Sequence, residues 1–473
     1  LGYILIAQAI PNAKASEWME ENIPLFECPQ RNFEEMYYYR WWSLRKHIKE
    51  TPVGYGMTEF LVQRSYSDKY NLIACAIGHH IYESRWLRDP KYLDQIIHTW
   101  YRGNDGGPMN KMNKFSSWNA DAVLARYMVD ADKDFMLDMK ENLEAEYQRW
   151  ECTNRLQNGL YWQGDVQDGM EESISGGRKK KYARPTINSY MYGNAKALSL
   201  MGILSDDEGM AMRYGMRADT LKRLVKDKLW NSRHQFFETM RADSSANVRE
   251  AIGYIPWYFN LPDTVKQYEV AWKEIMDENG FSAPYGLTTA ERRHPEFRTH
   301  GVGKCEWDGA IWPFASAQTL TAMANFMNNY PQTVLSDSVY FRQMELYVES
   351  QYHRGRPYIG EYLDEVTGYW LKGDQERSRY YNHSTFNDLM ITGLIGLRPR
   401  LDDTVEVNPL IPADKWDWFC LDNVLYHGRN LTILWDKYGD RYHRGKGLRI
   451  FVDGKQVGYA DRLTRIICEN VLK

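Results

Sequence analysis

Ser205-Asp206-Asp207-Glu208 is followed by Leu221, Leu224, Val225 and Leu229. A Ser with a Glu three residues on reads as a capping box, and apolar residues three and four apart behind it put one stripe on a helix. Residues 188–201, just upstream, carry a helical pattern too, so the two stretches read as a helical hairpin joined by a short acidic turn. The same texture recurs on both sides. One helix is expected over residues 32–49. Four more begin at Asn71, Tyr92, Trp118 and Asp134, and others near Thr264, Trp307, Ser336 and Asn382. Loops rich in Gly, Asn and Asp separate them. Roughly eleven or twelve helices in about six pairs, with almost no strand between them, predict a toroid of helical hairpins, an (α/α)6 barrel.

Near residue 400 the pattern changes. Val405-Glu406-Val407, Leu431-Thr432-Ile433-Leu434 and Leu448-Arg449-Ile450-Phe451-Val452 are short β-branched runs, and Asp453-Gly454 is a hairpin turn signal. The chain therefore divides into an N-terminal extension over 1–30, a barrel over 31–400 and a small β-rich appendage over 401–473. Residues 1–15, apolar and ending in Asn-Ala-Lys-Ala, read as an ordered N-terminal element, with the tail of a secretory signal as the other reading. On that second reading a periplasmic or secreted location is slightly favoured over a cytoplasmic one. No apolar run reaches the roughly 18 residues of a membrane span.

Composition narrows the function. A net charge of −4 offers no basic surplus for a phosphate backbone, so nucleic acid is excluded as the main partner. The run Arg178-Lys179-Lys180-Lys181 is local and reads as a solvated loop. Six cysteines stand far apart with no CxxC, which removes the usual zinc and redox motifs, so no metal or cofactor is expected. An even count still permits disulfides. Seventeen Trp and thirty-four Tyr fit a large aromatic core, and equally platforms for the apolar faces of sugar rings.

Two acidic loops carry chemistry. In residues 158–173 four acids, Asp165, Asp168, Glu171 and Glu172, fall within eight positions beside Tyr161 and Trp162. A carboxyl crowded by acids and aromatics has its pKa raised, which is what protonating a leaving oxygen near neutral pH requires. The bottom-up alternatives are a solvated acidic turn or a cation site. In residues 358–370, Glu361, Asp364 and Glu365 are again flanked by aromatics. An inverting glycosidase needs a second carboxylate there to deprotonate water.

At these residues the chain resembles the six-hairpin glycosidases, the clan of trehalases, family 63 α-glucosidases and mannosylglycerate hydrolases. Asp168-Gly169-Met170-Glu171-Glu172-Ser173 is similar to the clan's acid motif, and Glu361 through Thr367-Gly368 to its base segment. Trp307-Asp308-Gly309-Ala310-Ile311-Trp312 resembles the helix start that lines the sugar site. The stretch 405–435, with Asn408-Pro409-Leu410-Ile411-Pro412 and Tyr426-His427-Gly428-Arg429, resembles the β-rich cap that follows the barrel. The resemblance implies an inverting glycoside hydrolase acting on an oligosaccharide or glycoside, with Glu171 as general acid and Glu361 as general base. The clan's acid is an Asp and its motif opens on Ser where Asp168 stands here, so Asp168 and Glu172 are the alternative acids. Trp162, Trp307, Asp308, Trp312, Arg40, Trp41 and His383 are the candidate substrate contacts. Two other readings stay open. One is a carbohydrate-binding barrel without chemistry; the other is an epimerase or lyase using His79, His80 or His383. Phosphorolysis is disfavoured by the presence of Glu361. Oligomeric state, sugar, anomer and exo or endo action stay open.

The acid–base reading makes three structural expectations. Glu171 and Glu361 should face each other across a pocket, about 6.5–9.5 Å apart for inversion. Trp162, Trp307 and Trp312 should line that pocket. Glu171 should have a raised pKa while Glu361 stays ionised.

Overall fold

A computed structural model describes residues 7–473. The first six residues of the stretch read as an ordered element or signal tail lie outside the described residues. From Ala7 on, that stretch forms a short strand, a 3₁₀ turn and the helix Ala15–Asn22.

The architecture is a closed ring of helical hairpins with a small sheet domain. Six inner helices begin at Ile77, Asn119, Pro185, Ile255, Pro313 and Asn387, and each packs on the next, the last closing on the first. Outside them lie Arg31–His47, Lys91–Arg102, Lys140–Asn154, Glu208–Leu229, the short pieces Lys266–Glu269 and Val270–Ile275, and Asp337–Ser350. Inner helices are enclosed on most sides. In Pro185–Leu204 even Thr186, Asn188, Ser189 and Asn194 are buried. Outer helices bury one stripe, as Glu208–Leu229 does with Met210, Tyr214, Ala218, Leu221, Leu224, Val225 and Leu229. Pro185 and Pro313 stand at the first helical position, where a missing N–H costs nothing.

Helix starts differ from the sequence reading in instructive ways. Ser205 does not cap the outer helix. Its Oγ donates back to the Met201 carbonyl at 2.8 Å and closes the inner helix, while Asp207 accepts the Met210 N–H at 2.9 Å and opens the outer one. The hairpin is tight because Gly202 admits the backbone of Ala211, whose N would lie 2.5 Å from an added Cβ. The stretch from Trp307 stays irregular until Pro313, and that from Asn382 until Asn387. The last inner helix is started from a distance. The Glu83 carboxylate accepts the backbone N–H groups of Phe386, Asn387 and Asp388 at 2.9–3.2 Å, satisfying donors that a local cap would otherwise serve.

The C-terminal domain centres on an antiparallel sheet of five strands in the order Leu25–Glu27, Trp418–Tyr426, Arg429–Asp436, Gly447–Val452, Lys455–Ala460. Asp453 and Gly454 both have positive φ, as the hairpin turn requires. Leu25–Glu27 comes from the N-terminal extension, so the chain's start is sewn into the sheet made by its end.

Asp207→Ala should cost about 1 kcal/mol of stability in a urea titration, and Ser205→Ala distinctly less. A larger loss at Ser205 would contradict this assignment of the cap.

Candidate active site

The loops that precede the inner helices gather at one end of the ring, and both acidic motifs lie in them. The acid loop turns on a 3₁₀ piece, Val166–Asp168, followed by Gly169 at φ +71°. This left-handed residue lies against Cys75, whose Cβ would be 3.4 Å from an added Cβ, and leads to buried Met170 and then Glu171. Asp168 anchors the turn. It is buried, accepts Arg184 Nε at 2.6 Å, and takes hydroxyl bonds from Ser116 and Thr186 at 2.5 Å each. Committed to an enclosed ion pair, it is a strut of the loop and presents no free acid. Glu172, at φ +67°, turns outward to Arg178 at 2.7 Å. Of the three candidate acids, Glu171 is the one whose pKa is raised by the charge of Glu361.

The base loop is held by pairing and by one arginine. Leu363 forms bridges with Ile311 and Trp370. Asp364 accepts the N–H groups of Val366 and Thr367 and the Thr367 hydroxyl, so the Thr-Gly pair closes the turn after Glu361. Arg298 binds Glu306, Asp364 and Glu365 at 2.5–2.6 Å, tying the 298–308 loop to the base loop.

The aromatic candidates separate. Trp307 stacks on Trp312 at 4.3 Å and Trp312 on Tyr362 at 4.5 Å, a column that ends beside Glu361. Both tryptophans are enclosed, at 3% and 2% exposure, so they build the wall more than they offer a bare platform. Asp308 is buried behind them, with Oδ2 accepting the backbone N–H of His300 and Gly301. Trp162 is elsewhere. Lys181 sits over its ring, and it lines a groove with the basic loop 178–181. Trp41 is fully enclosed in the core. Arg40 is spent on Gln351 at 2.8 Å and Ser384 at 3.0 Å, bracing helices rather than reaching a ligand. A helical run of aromatics with one Arg cannot tell these faces apart.

His79, His80 and His383 are buried and held neutral, their pKa values driven down by burial. His79 lies against Trp118 and Phe314, and His80 bonds to the Asn382 carbonyl, so both belong to the aromatic floor that closes the bore. His383 is different. It packs on Tyr381 at 3.9 Å and turns Nδ1 toward Glu59 at 3.9 Å.

Glu59 was not legible in the sequence, where Met57-Thr58-Glu59-Phe60 matches no motif. It is buried, accepts the Cys75 thiol at 3.2 Å, and lies within the fields of Glu171 and Glu361. Burial, with those two charges, pushes its carboxyl up to about 7. Burial, joined by Glu361 and Asp165, pushes Glu171 up to about 7 as well, against Arg178. Glu361 is also raised by burial, which departs from the expectation of an ordinary carboxylate, but it alone of the three is faced by Arg377, Lys372 and Arg64. Arg377 comes within 3.4 Å of it. Glu171, Tyr66, Cys305, Lys372 and Arg377 are partly exposed, and Glu59, Glu361, Tyr381 and His383 are buried. The site thus has a wet rim and a dry floor. Among the described residues no three His, Cys, Asp or Glu side chains are grouped to hold a metal ion.

Residues 69–384, most of the barrel, match the family described as mannosylglycerate hydrolase MGH1-like glycoside hydrolase domain. The chain belongs to this family. Residues 397–458 match the C-terminal domain of glycosyl hydrolase family 65, which covers most of the sheet domain. A solved structure named as a sialidase is 92% identical over 99% of the chain, with a TM-score of 0.98, and this chain spans only 43% of that longer protein. A family 63 mannosylglycerate hydrolase from Thermus thermophilus, in complex with glucose, is 12% identical and aligns 75% of this chain with 99% of its own at a TM-score of 0.57. A family 78 rhamnosidase of a Bacillus species is 10% identical, with 91% of this chain and 41% of that one aligned at 0.62. At such identities the likeness is one of fold, and it agrees with the six-hairpin resemblance.

The raised carboxyls tie stability to pH. Glu171 binds its proton more tightly in the fold than its ordinary 4.5 allows. Below about 4.5 the group is protonated in both states and costs nothing; as pH rises toward 7 the unfolded chain ionises first and the fold loses stability. Glu171→Gln should therefore raise the melting temperature at pH 8, by about 2–6 °C, and hardly at all at pH 4.5. An equal shift at both pH values would contradict the assignment.

Proposed function

We propose that this domain is an inverting glycoside hydrolase in which Glu171 protonates the leaving oxygen and Glu361 deprotonates the attacking water. The observation that carries the reading is the unequal surroundings of two carboxyls in one site. Glu361 is faced by Arg377, Lys372 and Arg64, which favour its charged form. Glu171 is half-buried beside the charges of Glu361 and Asp165, which favour its protonated form. A general acid and a general base must differ at one pH; burial raises both carboxyls, and the three cations beside Glu361, against the single Arg178 that acts on Glu171, work to separate them. The rim cations favour the charged form of Glu361 against its burial, and the enclosed column of Trp307, Trp312 and Tyr362 keeps bulk water from that side. Family membership supports a glycoside as substrate. The relatives' names span mannosylglycerate, rhamnoside and sialoside, so these glycosides belong in the first panel. Of the residues that the histidine-based alternative named, His79 and His80 lie in the floor, and only His383 reaches the site.

With a cleaved aryl glycoside in hand, kcat/KM should follow a bell-shaped pH profile. Glu361→Gln should lower it about 10²–10⁴-fold whatever the leaving group. Glu171→Gln should remove the basic limb and hurt most with poor leaving groups, since a dinitrophenolate departs without a proton. A Glu171→Gln variant that keeps its basic limb and its rate would overturn the acid role.

A further inference from the structure

Glu59 is not used by the two-carboxyl mechanism, yet the fold delivers it to the same place. It follows the strand Gly54–Met57 and precedes the first inner helix, Ile77–Ser84, at the end of the ring where the acid and base loops lie. Its carbonyl accepts the Asn382 N–H at 2.9 Å, and the Asn382 amide donates to the Thr58 carbonyl at 3.1 Å, so the backbone at Glu59 is stitched to the chain at His383. One carboxyl oxygen takes the Cys75 thiol; the other looks toward His383 Nδ1 across 3.9 Å. Among the described residues Glu59 has no Lys or Arg ion pair. A buried carboxyl without a cation is costly to the fold, and an apolar side chain of the same size would pack there more cheaply.

One neighbouring atom points to a ligand. His383 Nε2 is buried and has no hydrogen-bond partner among the described residues, and buried polar atoms are normally satisfied. Glu361 Oε2 makes no hydrogen bond either and has only the Arg377 guanidinium at 3.4 Å. A sugar hydroxyl both donates and accepts, so it can serve a carboxyl and an imidazole nitrogen at once.

We infer that Glu59 is a specificity-determining residue that, together with His383, holds one ring hydroxyl of the glycosyl unit between Glu171 and Glu361. This rests on the hydrolase reading. Its carboxyl, raised to about 7 by burial and by the two other glutamates, can either donate to that hydroxyl or accept from it. A site built around such a bond rejects the sugar that lacks the hydroxyl far more strongly than one lacking a methylene.

The test is calorimetric binding of a panel of polyhydroxylated pyrrolidines and piperidines, with each monodeoxy analogue, to the full chain and to Glu59→Leu, Glu59→Gln, Glu171→Gln and Glu361→Gln. At least one iminosugar should bind the unaltered chain. One of its monodeoxy analogues should bind tenfold or more weakly, and Glu59→Leu should erase that difference while the differences at other hydroxyls persist. Glu59→Gln, which keeps the shape and a hydrogen-bonding end, should restore part of it and serves if Glu59→Leu does not fold. A purely structural Glu59 would weaken all analogues alike, and that result overturns the proposal, as does unchanged binding. Loss of binding in Glu171→Gln and Glu361→Gln with none in the Glu59 variants leaves the hydrolase reading standing and removes Glu59 from it. If no member binds the unaltered chain, the Glu59 proposal falls, and cleavage of aryl glycosides judges the hydrolase reading separately.

Discussion

Like charges gathered in a place with little water repel, and Glu59, Glu171 and Glu361 are held together against that repulsion. Each is raised by burial, and Glu59 and Glu171 also by their neighbours' charge. Arg377 beside Glu361 and the Cys75 thiol on Glu59 relieve only part of that cost, since all three carboxyls stay raised. The arrangement persists because the loops that carry them are fixed elsewhere. Asp168 bonded to Arg184, Ser116 and Thr186 holds the acid loop, and Arg298 on Glu306, Asp364 and Glu365 holds the base loop. The ring supplies the rest, since its six inner helices begin at one end and bring six loops to a common mouth. Stability spent in this way at a site is the usual accompaniment of carboxyls tuned for proton transfer.

The same principle explains the floor. Trp118 contacts His79, Tyr190, Tyr258 and Phe314, so the bore is closed by aromatic packing just below the site. The sheet domain stands apart from this chemistry. It pairs Leu25–Glu27, which precedes the barrel, with the strand Trp418–Tyr426, which follows it.

Much of the fold was legible because outer helices and β-branched strands carry strong periodicity. Residues 208–229 and 447–452 show it plainly. Inner helices were harder, since helices buried on all sides have no polar face to set the phase; the one at Asn387 is started by Glu83, some three hundred positions away, which no local pattern reveals. Ser205 imitated a cap whose work Asp207 performs two residues on. In the site, the two acidic loops were legible as composition and as resemblance, but the division of labour among Asp168, Glu171 and Glu172 was not, because it is decided by Arg184 and Arg178. Arg40 and Trp41 looked like ligand contacts for the same reason: an aromatic run does not say which face is inward. Glu59 stands alone among ordinary neighbours, and only the ring brings it to the other two.

The most direct measure of the central claim is the configuration of the first sugar released. Proton NMR of the anomeric signal, followed from the first minutes of cleavage, should show the anomer opposite to that of the substrate, with the other rising only by mutarotation. Initial release of the substrate's own anomer would mean a covalent glycosyl intermediate, and would contradict a mechanism in which Glu361 activates water across from Glu171.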